Sequence, residues 1–473
     1  MTKLDCWKKA CAGFLLCAAT AMTASAQTVT TLFNFDGLDG SGQLYGSLIQ
    51  GSDGNFYGTS AYEGKNGGGS LYSVTPTGSL VSAYSFCHSP CPNGNTPYGG
   101  LMQAANGNFY GAATYGGAYG GGTLFQITPK SGLRILESFG NGDGPALPPM
   151  QATNGNLYGT AGGGASNGGM IYQVSPTGVV STFYSFCSPG CADGSGANGV
   201  VQAPNGKLYG VNGSGGGYGF GTFFVITLDG QLTKLHSFKK SEGAARSPII
   251  LASDGNFYGT AGGGGANSAG TVFKITPDGQ LSVLYNFCSQ PNCTDGLRPT
   301  AGLVEGSDGN FYGTTELGGA LDSHNTCISG CGTLFQITPA GVLTTLYDFC
   351  TQTDCAAGIA PTAGLMQATD GNFYGSAGVG VTVNGVIFRL SMGLGPFVEA
   401  IPSFSAAGNS VRILGYGLKG TTSISFNGTP ATFTVLSETY IKATVPTGAT
   451  TGYLTVTMPS GTLTSNVPFH VVP

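Results

Sequence analysis

Three features of this 473-residue sequence predict an all-β fold, a seven-bladed β-propeller followed by an immunoglobulin-like β-sandwich. The first is the segment Asp-Gly-Asn-Phe-Tyr-Gly, which recurs in identical or varied form about every 50 residues, a period typical of repeat folds. The second is a set of four short β-patterned stretches per period, separated by Gly, Asn, Asp and Pro. The third is the absence of amphipathic helical periodicity. The seven copies begin at Asp53, Asn106, Asn154, Asn205, Asp254, Asp308 and Asp370.

Residues 1–26 have the composition of a secretory signal peptide. They open with three lysines, continue with a long apolar run and end in Ala24-Ser25-Ala26, small residues at the positions where cleavage requires them. We therefore expect export, a mature chain that begins at Gln27, and a secreted or cell-surface location. No later run of about 18 apolar residues occurs, so no transmembrane segment is expected after signal cleavage.

Each period predicts the same elements in order. A Gly-rich loop follows the Asp-Gly-Asn turn, and a strand of the type Gly-Thr-Leu-Phe-Gln-Ile-Thr-Pro comes next. A Pro-x-Gly or Asp-Gly turn leads to a Leu-x-x-Leu-Tyr-x-Phe strand, and one more short strand leads to the next period.

The phase of the repeat predicts how the ring closes. The Leu-x-x-Leu-Tyr-x-Phe type also stands at the front of the mature chain, at Val29–Phe35, whereas the last period ends at Leu390 without it. We expect this N-terminal strand to complete the final blade, because closure removes open sheet edges. The sequence thus predicts a seven-bladed propeller over residues 27–391, closed by the N-terminal strand.

Beyond residue 391 the repeat ends and a different β pattern begins. Short β-patterned stretches alternate with turns from Val411 to Val472. About seven short strands in about 80 residues are typical of a small immunoglobulin-like sandwich. We expect a short linker and such a domain over residues 392–473.

The cysteines outside the signal segment fall in close pairs. An even number in an exported chain favours disulfides. Zinc is the alternative, because two cysteine pairs can hold this metal, but the pairs stand in loops of different repeats with few histidines nearby. The expected disulfide cysteines are Cys87 with Cys91, Cys187 with Cys191, Cys288 with Cys293, Cys327 with Cys331, and Cys350 with Cys355.

The seven turns and the Gly-Thr-Leu-Phe-Gln-Ile-Thr-Pro strands resemble the GloVer-type tandem repeat of secreted bacterial proteins, over residues 28–390. This resemblance implies a secreted repeat protein and assigns no activity. The Asp-Gly turn, the aromatic strand and the strand ending in Thr-Pro-x-Gly are also similar, more distantly, to the virginiamycin B lyase-like propellers. Those enzymes rely on a catalytic histidine and a magnesium site. Neither can be placed on residues of this chain, so the resemblance does not carry the activity over.

Residues 396–473 resemble an IPT/TIG domain. In secreted bacterial proteins such domains act mostly as spacers or adhesion modules, and the resemblance implies such a role here. The segments that carry it are Gly415-x-Gly417-Leu418, Phe426-Asn427-Gly428-Thr429-Pro430-Ala431, Val445-Pro446 and Gly452-Tyr453-Leu454-Thr455-Val456.

The composition argues against several classes of function. Charged residues make up 8% of the chain and the formal net charge is −5, without a basic patch, so no nucleic-acid partner is expected. The Asp-Gly-Asn turns lack the alternating oxygens and the bidentate glutamate of a calcium loop. The Gly-rich stretches lack the Lys-Ser/Thr and the helix of a phosphate loop. We predict no metal, no cofactor and no catalytic residue.

One face of the predicted propeller is the expected binding face. In a four-stranded blade the loops between strands 2 and 3 and between strands 4 and 1 emerge together, and here these loops vary in length and sequence. A rigid scaffold with one variable face is typical of binding proteins. For the segment from Glu316 to His324, a metal or acid–base site is the alternative to a disulfide-tied surface loop. The candidate ligand-binding residues are Tyr62, Glu63, Tyr115, Tyr119, Tyr218, Glu316, Asp322 and His324.

These observations favour a non-enzymatic binding or adhesion protein with an extracellular glycan or a surface protein as partner. Tyrosine among glycine and asparagine suits both sugars and protein surfaces. One alternative is a propeller enzyme, a lyase or hydrolase that acts on a polysaccharide or cyclic peptide. A second is a structural component of a surface layer, and a third is that the variable loops merely cap the propeller.

Overall fold

The computed structural model describes residues 27–40, 45–87, 91–128, 132–140, 142–187, 190–320, 327–350, 355–378 and 384–472. In these ranges the chain consists of β-strands and loops, with one 3-10 turn at Pro291–Cys293 and no α-helix. The prediction of an all-β fold is therefore confirmed. The predicted signal peptide lies outside the described residues. No helix in the described ranges is long and apolar enough to cross a membrane.

The first strand, β1 (Thr28–Asn34), is followed by four sheets of four consecutive antiparallel strands each. Sheet 1 comprises β2 (Ile49–Gln50), β3 (Phe56–Ser60), β4 (Gly67–Val74) and β5 (Leu80–Cys87). Sheet 2 comprises β6 (Leu101–Gln103), β7 (Phe109–Ala113), β8 (Gly120–Thr128) and β9 (Gly132–Gly140). Sheet 3 comprises β10 (Met150–Gln151), β11 (Leu157–Ala161), β12 (Met170–Val174) and β13 (Val180–Ser185). Sheet 4 comprises β14 (Ser195–Gln202), β15 (Leu208–Ser214), β16 (Thr222–Ile226) and β17 (Leu232–Ser237).

Two further sheets repeat this arrangement, and a third includes the first strand of the chain. Sheet 5 comprises β18 (Ile250–Leu251), β19 (Phe257–Ala261), β20 (Thr271–Ile275) and β21 (Leu281–Asn286). Sheet 6 comprises β22 (Val304–Glu305), β23 (Phe311–Thr315), β24 (Thr333–Ile337) and β25 (Leu343–Asp348). Sheet 7 comprises β26 (Met366–Gln367), β27 (Phe373–Ala377), β28 (Val386–Ser391) and β1. Strand β1 runs antiparallel to β28, with Thr28 opposite Ser391 and Asn34 opposite Val386.

The recurring hexapeptide forms the turn between the first two strands of each sheet. In the first copy Gly54 has a φ of 84°, a left-handed conformation that glycine adopts without steric penalty. The Asn55 amide donates to Asp53 Oδ1 over 3.1 Å, and the Tyr57 hydroxyl donates to Asp53 Oδ2 over 2.8 Å. The motif therefore fixes both the turn and the tyrosine. The same tyrosine-to-aspartate bond recurs at Tyr258, Tyr312 and Tyr374.

Aromatic rings of the same motif join neighbouring sheets. Tyr258 of sheet 5 stacks on Phe311 of sheet 6 with ring centroids 4.0 Å apart. Phe56 of sheet 1 lies 4.3 Å from Tyr374 of sheet 7, so the first and last sheets are also neighbours. These four side chains are buried, and they pack the core between sheets, as interpreted from the sequence.

Side chains at the ends of the inner strands form a second link between sheets, which we call the amide bridges. Gln103 Oε1 of sheet 2 accepts the Ser52 amide, just after the inner strand of sheet 1, over 3.0 Å. The last amide bridge joins sheet 7 to sheet 1, because the Thr369 amide donates to Gln50 Oε1 over 3.0 Å. The other amide bridges run from Ala105 to Gln151, Thr153 to Gln202, Ser253 to Glu305 and Ser307 to Gln367.

The C-terminal part forms separate sheets around its own core. Its ten described strands are β29 (Glu399–Ile401), β30 (Phe404–Ala406), β31 (Ser410–Leu414), β32 (Ser423–Phe426), β33 (Thr429–Pro430), β34 (Phe433–Val435), β35 (Tyr440–Thr444), β36 (Leu454–Met458), β37 (Gly461–Thr464) and β38 (His470–Val472). One sheet has the order β29-β31-β35-β34, another the order β33-β32-β36-β37, and β30 pairs with β38. Buried Val398, Ile413, Ile424 and Leu454 pack between them. The sequence pattern predicts fewer strands than the structure has. The strands that it misses have only two to four residues each; they are β29, β30, β33 and β37.

The described cysteines lie in the five local pairs that the sequence predicts. In each pair the two sulfur atoms are at bonding distance, and the pairs belong to loops of different sheets. In the described part of the chain no three His, Cys, Asp or Glu side chains are grouped so as to hold a metal ion.

Candidate functional site

A cavity of about 850 Å³ lies where the inner strands of the seven sheets converge. Each sheet supplies wall residues from its inner strand or from the segment that enters it. The cavity is therefore central rather than a groove on one sheet, and its volume falls in the range of small-molecule sites. One wall residue from each sheet, in order, is Ile49, Leu101, Met150, Val200, Ile250, Leu303 and Leu365.

Tyrosines line one end of this cavity, at what we call the loop face, formed by the loops between the second and third strands of the sheets. Tyr45 and Tyr98 belong to the wall, and their rings meet edge to face with centroids 4.8 Å apart. The hydroxyl of Tyr62, in the β3–β4 loop, lies 2.6 Å from that of Tyr98. Burial and this hydrogen bond raise the pKa of Tyr98 well above its usual value. Tyr98 therefore stays neutral at physiological pH, and the three rings present flat, polar-edged surfaces.

Two arginines and one glutamate are the charged members of the cavity wall among the described residues. Arg298 Nη2 lies 3.3 Å from Glu316 Oε2, and the Glu316 side chain is 18% exposed. Arg246 is exposed and forms no ion pair with any described residue. Within the described residues the wall thus holds one unpaired guanidinium, a group that forms bidentate hydrogen bonds to carboxylates and phosphates.

The C-terminal sheets cover the opposite end of the central channel. This end is the turn face, formed by the hexapeptide turns, and a second cavity of about 350 Å³ lies there. Arg412 Nη2 donates to the Gln103 carbonyl oxygen over 2.7 Å, and Thr439 Oγ1 donates to the Ser52 carbonyl oxygen over 2.8 Å. The walls of the second cavity include Gln50, Gln103 and Gln367 from the repeats, and Glu399, Arg412 and Asn466 from the C-terminal domain.

The second cavity contains polar groups that form no hydrogen bond within the described chain. Buried Gln50 Nε2, Arg412 Nε and Asn466 Oδ1 have no protein partner there. Burial raises the pKa of the Glu399 carboxyl to about 7, and the nearby positive charge of Arg412 only partly offsets this effect. Groups of this kind normally form hydrogen bonds with ordered water. The second cavity is therefore suited to hold water molecules between the two domains.

The structure places the predicted site residues in two groups. Glu316 belongs to the wall of the central cavity, Tyr62 contacts the wall residue Tyr98, and Tyr115 is near enough to Tyr98 to influence its titration. The other described candidates lie away from the cavity wall. Asp322 and His324 lie outside the described residues. Tyr62, Tyr115, Tyr119 and Tyr218 are all exposed, at 43%, 55%, 70% and 59%.

The candidates away from the cavity have other surroundings. The Glu63 carboxylate lies close to Gly37: a Cβ atom placed on Gly37 would be 2.9 Å from Glu63 Oε2. The Lys239 ammonium stands 5.7 Å from the centre of the Tyr218 ring. His236, interpreted as structural, lies 2.9 Å from Glu242 Oε2 at the end of β17. None of these groups contributes to the cavity wall.

Sequence reasoning missed Tyr45, Tyr98, Arg246 and Arg298. A signal was present, because Tyr45, Tyr98 and Arg246 each stand five residues before the last residue of an inner strand, at Gln50, Gln103 and Leu251. Alignment of the seven repeats on their inner strands would have identified this position as part of the wall.

Comparisons with known proteins agree with this architecture. The Gloeobacter/Verrucomicrobia repeat matches residues 18–149 and 133–326, and the IPT/TIG domain matches residues 396–471. No curated protein sequence matches the chain.

Among solved structures, the chain is similar in fold to virginiamycin B lyase from Staphylococcus aureus. The TM-score is 0.53 at 14% identity, with 77% of this chain and 99% of the lyase covered. It is also similar to the extracellular domain of a putative one component system from B. thetaiotaomicron, with a TM-score of 0.51 at 11% identity over 91% of this chain and 52% of that one. Likeness at such identity concerns the fold alone. The repeat match spans more than half of the sequence, and the chain therefore belongs to the Gloeobacter/Verrucomicrobia repeat family and carries a C-terminal IPT/TIG domain.

Proposed function

We propose that this protein is an exported, non-enzymatic binding protein that holds an extracellular ligand at the loop face of a seven-bladed propeller. The observation that carries the proposal is the central cavity, which has wall residues from all seven sheets and tyrosines at its loop end. The IPT/TIG domain covers the other end of the channel. A ligand would therefore enter from the face where the variable loops lie.

The proposal includes a closed ring over residues 27–391, with a linker and sandwich over 392–473. Closure is supported by the β1–β28 pairing, which completes sheet 7 with the first strand of the chain, and by two contacts between sheets 7 and 1: the Phe56–Tyr374 ring contact and the Thr369–Gln50 amide bridge. Deletion of residues 28–35 would expose the edge of β28 to other chains.

We expect that deletion to give aggregated protein without a cooperative melt, measured by size-exclusion chromatography and calorimetry. A matched control removes only Gln27, which precedes β1. A deletion variant that stays monomeric and melts cooperatively would count against closure by β1.

A glycan is the favoured ligand class. Sugars present both hydroxyls and flat faces of C–H bonds, and tyrosine offers a ring and a polar edge at low entropic cost. In other sheets the wall adds Asn198, Thr300 and Thr362, which are polar side chains. A surface protein is the other ligand class that tyrosines and polar side chains of this kind bind.

An enzyme acting on a polysaccharide or cyclic peptide is the second candidate function. Glu316, a partly buried carboxylate beside the cavity, is the feature that favours it. Glycoside hydrolysis normally uses two carboxylates, and Glu316 is the one carboxylate in the described wall. Cleavage of a bound ligand that stops in Glu316→Gln would support this second function.

The test is a glycan panel with the mature protein, residues 27–473, read for both binding and cleavage. We expect binding without cleavage, weakened at least about tenfold by Tyr45→Ala or Tyr98→Ala, because each removes an aromatic side chain from the cavity wall. The matched control is Tyr119→Ala, a more exposed tyrosine of the loop face that is not in the cavity wall.

Three results would contradict the proposal. Equal losses in all three variants would show that the cavity is not the site. Ligand turnover would establish the enzyme instead. Failure to bind any glycan or surface protein, with ordered self-association of the pure protein, would indicate a surface-layer component.

A further inference from the structure

The unpaired arginine of the cavity and its two tyrosines lie on opposite sides of it. Tyr45 and Tyr98 come from sheets 1 and 2, whereas Arg246 and Arg298 come from sheets 5 and 6. Ring contacts and amide bridges make consecutive sheets neighbours and join sheet 7 to sheet 1. In a circle of seven, sheet 5 lies three positions from sheet 1 and three from sheet 2, so Arg246 faces both tyrosines, whereas Arg298 of sheet 6 lies only two positions from Tyr45. The cavity thus has an aromatic wall on sheets 1 and 2 and a cationic wall on sheets 5 and 6, with Arg246 opposite the tyrosines.

The cationic wall contrasts with the charge of the whole chain. Acidic residues outnumber basic ones by 22 to 17 and the formal net charge is −5, yet the described wall carries two arginines against one glutamate. Glu316 pairs with Arg298, which leaves Arg246 for a ligand. A guanidinium at the edge of a cavity forms directional, bidentate bonds to a carboxylate.

A neutral hydrogen-bonding group accompanies this charge. Thr300 Oγ1, in the wall beside Arg298, is buried and has no partner in the described chain. Asn198 adds an amide on the adjoining part of the wall.

We propose that the cavity selects an oligosaccharide that carries carboxylates, an oligomer of uronic acid, with Arg246 binding the carboxylate and Tyr45 and Tyr98 packing against a sugar ring. This inference rests on the proposed binding function and adds the charge of the ligand to it. The ligand's sugar faces meet the aromatic wall while its carboxylate meets the cationic wall. The volume of about 850 Å³ accommodates a few sugar units.

The test compares trigalacturonic acid with its methyl ester, which keeps the sugar rings and removes the charges. Titration calorimetry of the mature protein should show at least about tenfold tighter binding of the acid, and the difference should shrink as salt is raised. Arg246→Gln should weaken binding of the acid to the level of the ester and leave the ester unchanged. Arg246→Lys should keep part of the difference in affinity between the acid and the ester, because lysine has the positive charge but cannot form the bidentate hydrogen bonds.

The matched control is Lys239→Gln, which removes an exposed cation beside Tyr218, away from the cavity wall. Arg246 and Lys239 are both exposed, so unchanged melting temperatures are expected and any loss of binding is not a loss of fold. Equal effects of the two substitutions would overturn the assignment of Arg246.

The remaining outcomes separate this inference from the proposed function. Ester binding as tight as acid binding, still weakened by Tyr45→Ala, would overturn the charge selectivity and leave the binding function intact. Tighter binding of triglutamate than of trigalacturonic acid would overturn the sugar class. Binding of neither trisaccharide at millimolar concentration would also overturn the inference, and the glycan panel would then decide the proposed function by itself.

Discussion

Two tyrosines of the third strands, Tyr72 and Tyr172, bury hydroxyl groups that have no partner in the described chain. Each ring lies over the last glycine of the turn hexapeptide, opposite Gly58 and Gly159 respectively. Burial raises the pKa of both phenols well above the usual value. The corresponding position of the other five sheets is phenylalanine, at Phe125, Phe224, Phe273, Phe335 and Phe388.

We expect Tyr72→Phe and Tyr172→Phe each to raise the free energy of unfolding by about 1 kcal/mol, because the substitution removes an unsatisfied buried hydroxyl and keeps the ring. Thermal and urea unfolding measure the change. Tyr312→Phe is the matched control and should lower stability by about 1 kcal/mol, since its hydroxyl donates to Asp308 over 2.8 Å. Equal effects at Tyr72 and Tyr312 would show that the Tyr72 hydroxyl is satisfied.

At the residue scale the sequence could predict the repeated turn but little of the site. The Asp-Gly-Asn pattern has a local physical meaning, because Asp53 binds the amide of Asn55 and the hydroxyl of Tyr57 within four residues. Tyr98 has its neighbours Tyr45 and Tyr62 in other parts of the chain. The exposure of a residue on a loop therefore predicted the site residues poorly, and the position of a residue in the repeat predicts them better.

At the element scale the seven sheets are linked by a regular side-chain bond that is missing once. In each amide bridge, the side-chain oxygen of a glutamine or glutamate accepts a hydrogen bond from a backbone amide of the previous sheet. That amide belongs to the second residue after the inner strand of the previous sheet. Between sheets 4 and 5 the donor position is Pro204, which has no amide hydrogen, and the acceptor position is Leu251. The loss of the donor thus coincides with the loss of the acceptor.

The double substitution Pro204→Ser with Leu251→Gln should install the missing amide bridge. Leu251→Gln alone places an amide at a partly buried position without its partner and should lower stability by about 1 kcal/mol. The two substitutions together should be more stable than the sum of the single effects by about 1 kcal/mol, measured as a double-mutant cycle in thermal unfolding. Purely additive effects would show that the introduced glutamine does not reach the backbone of sheet 4.

The elements themselves were largely predictable, and the reason is their repetition. The hexapeptide turns and the aromatic third strands recur seven times, so weak local signals add up. The pairing of β1 with β28 followed from the phase of the repeat, although it joins residues far apart in sequence. Four strands of the sandwich were missed, because segments such as Thr429–Pro430 are too short to show alternation.

At the scale of the whole molecule, the IPT/TIG domain contacts the turn face of the repeat sheets. Arg412 reaches Gln103 and Thr439 reaches Ser52, contacts that no sequence pattern predicts because they join two unlike surfaces. The domain boundary was visible in the sequence as the end of the repeat, but the docking of the domain on the channel was not.

The same docking predicts a pH dependence of stability. The Glu399 carboxyl lies at the second cavity, between the domains, and burial raises its pKa from 4.5 to about 7. Because the folded protein holds this proton more tightly than the unfolded chain does, the stabilising contribution is full below pH 4.5. It is lost as the pH rises through about 7, where the carboxylate must ionise in a partly buried place.

Glu399→Gln removes this ionisation and keeps the shape of the side chain. We expect the variant to be more stable than the unsubstituted protein by about 1–3 kcal/mol at pH 8.5, with a much smaller difference at pH 4.5. Calorimetric melting temperatures at the two pH values measure the effect. Glu438→Gln, at an exposed glutamate of the same domain, should show the same small difference at both values. A Glu399→Gln variant whose advantage does not grow between pH 4.5 and 8.5 would show that water or Arg412 stabilises the carboxylate at the interface, and that the second cavity does not favour the neutral form.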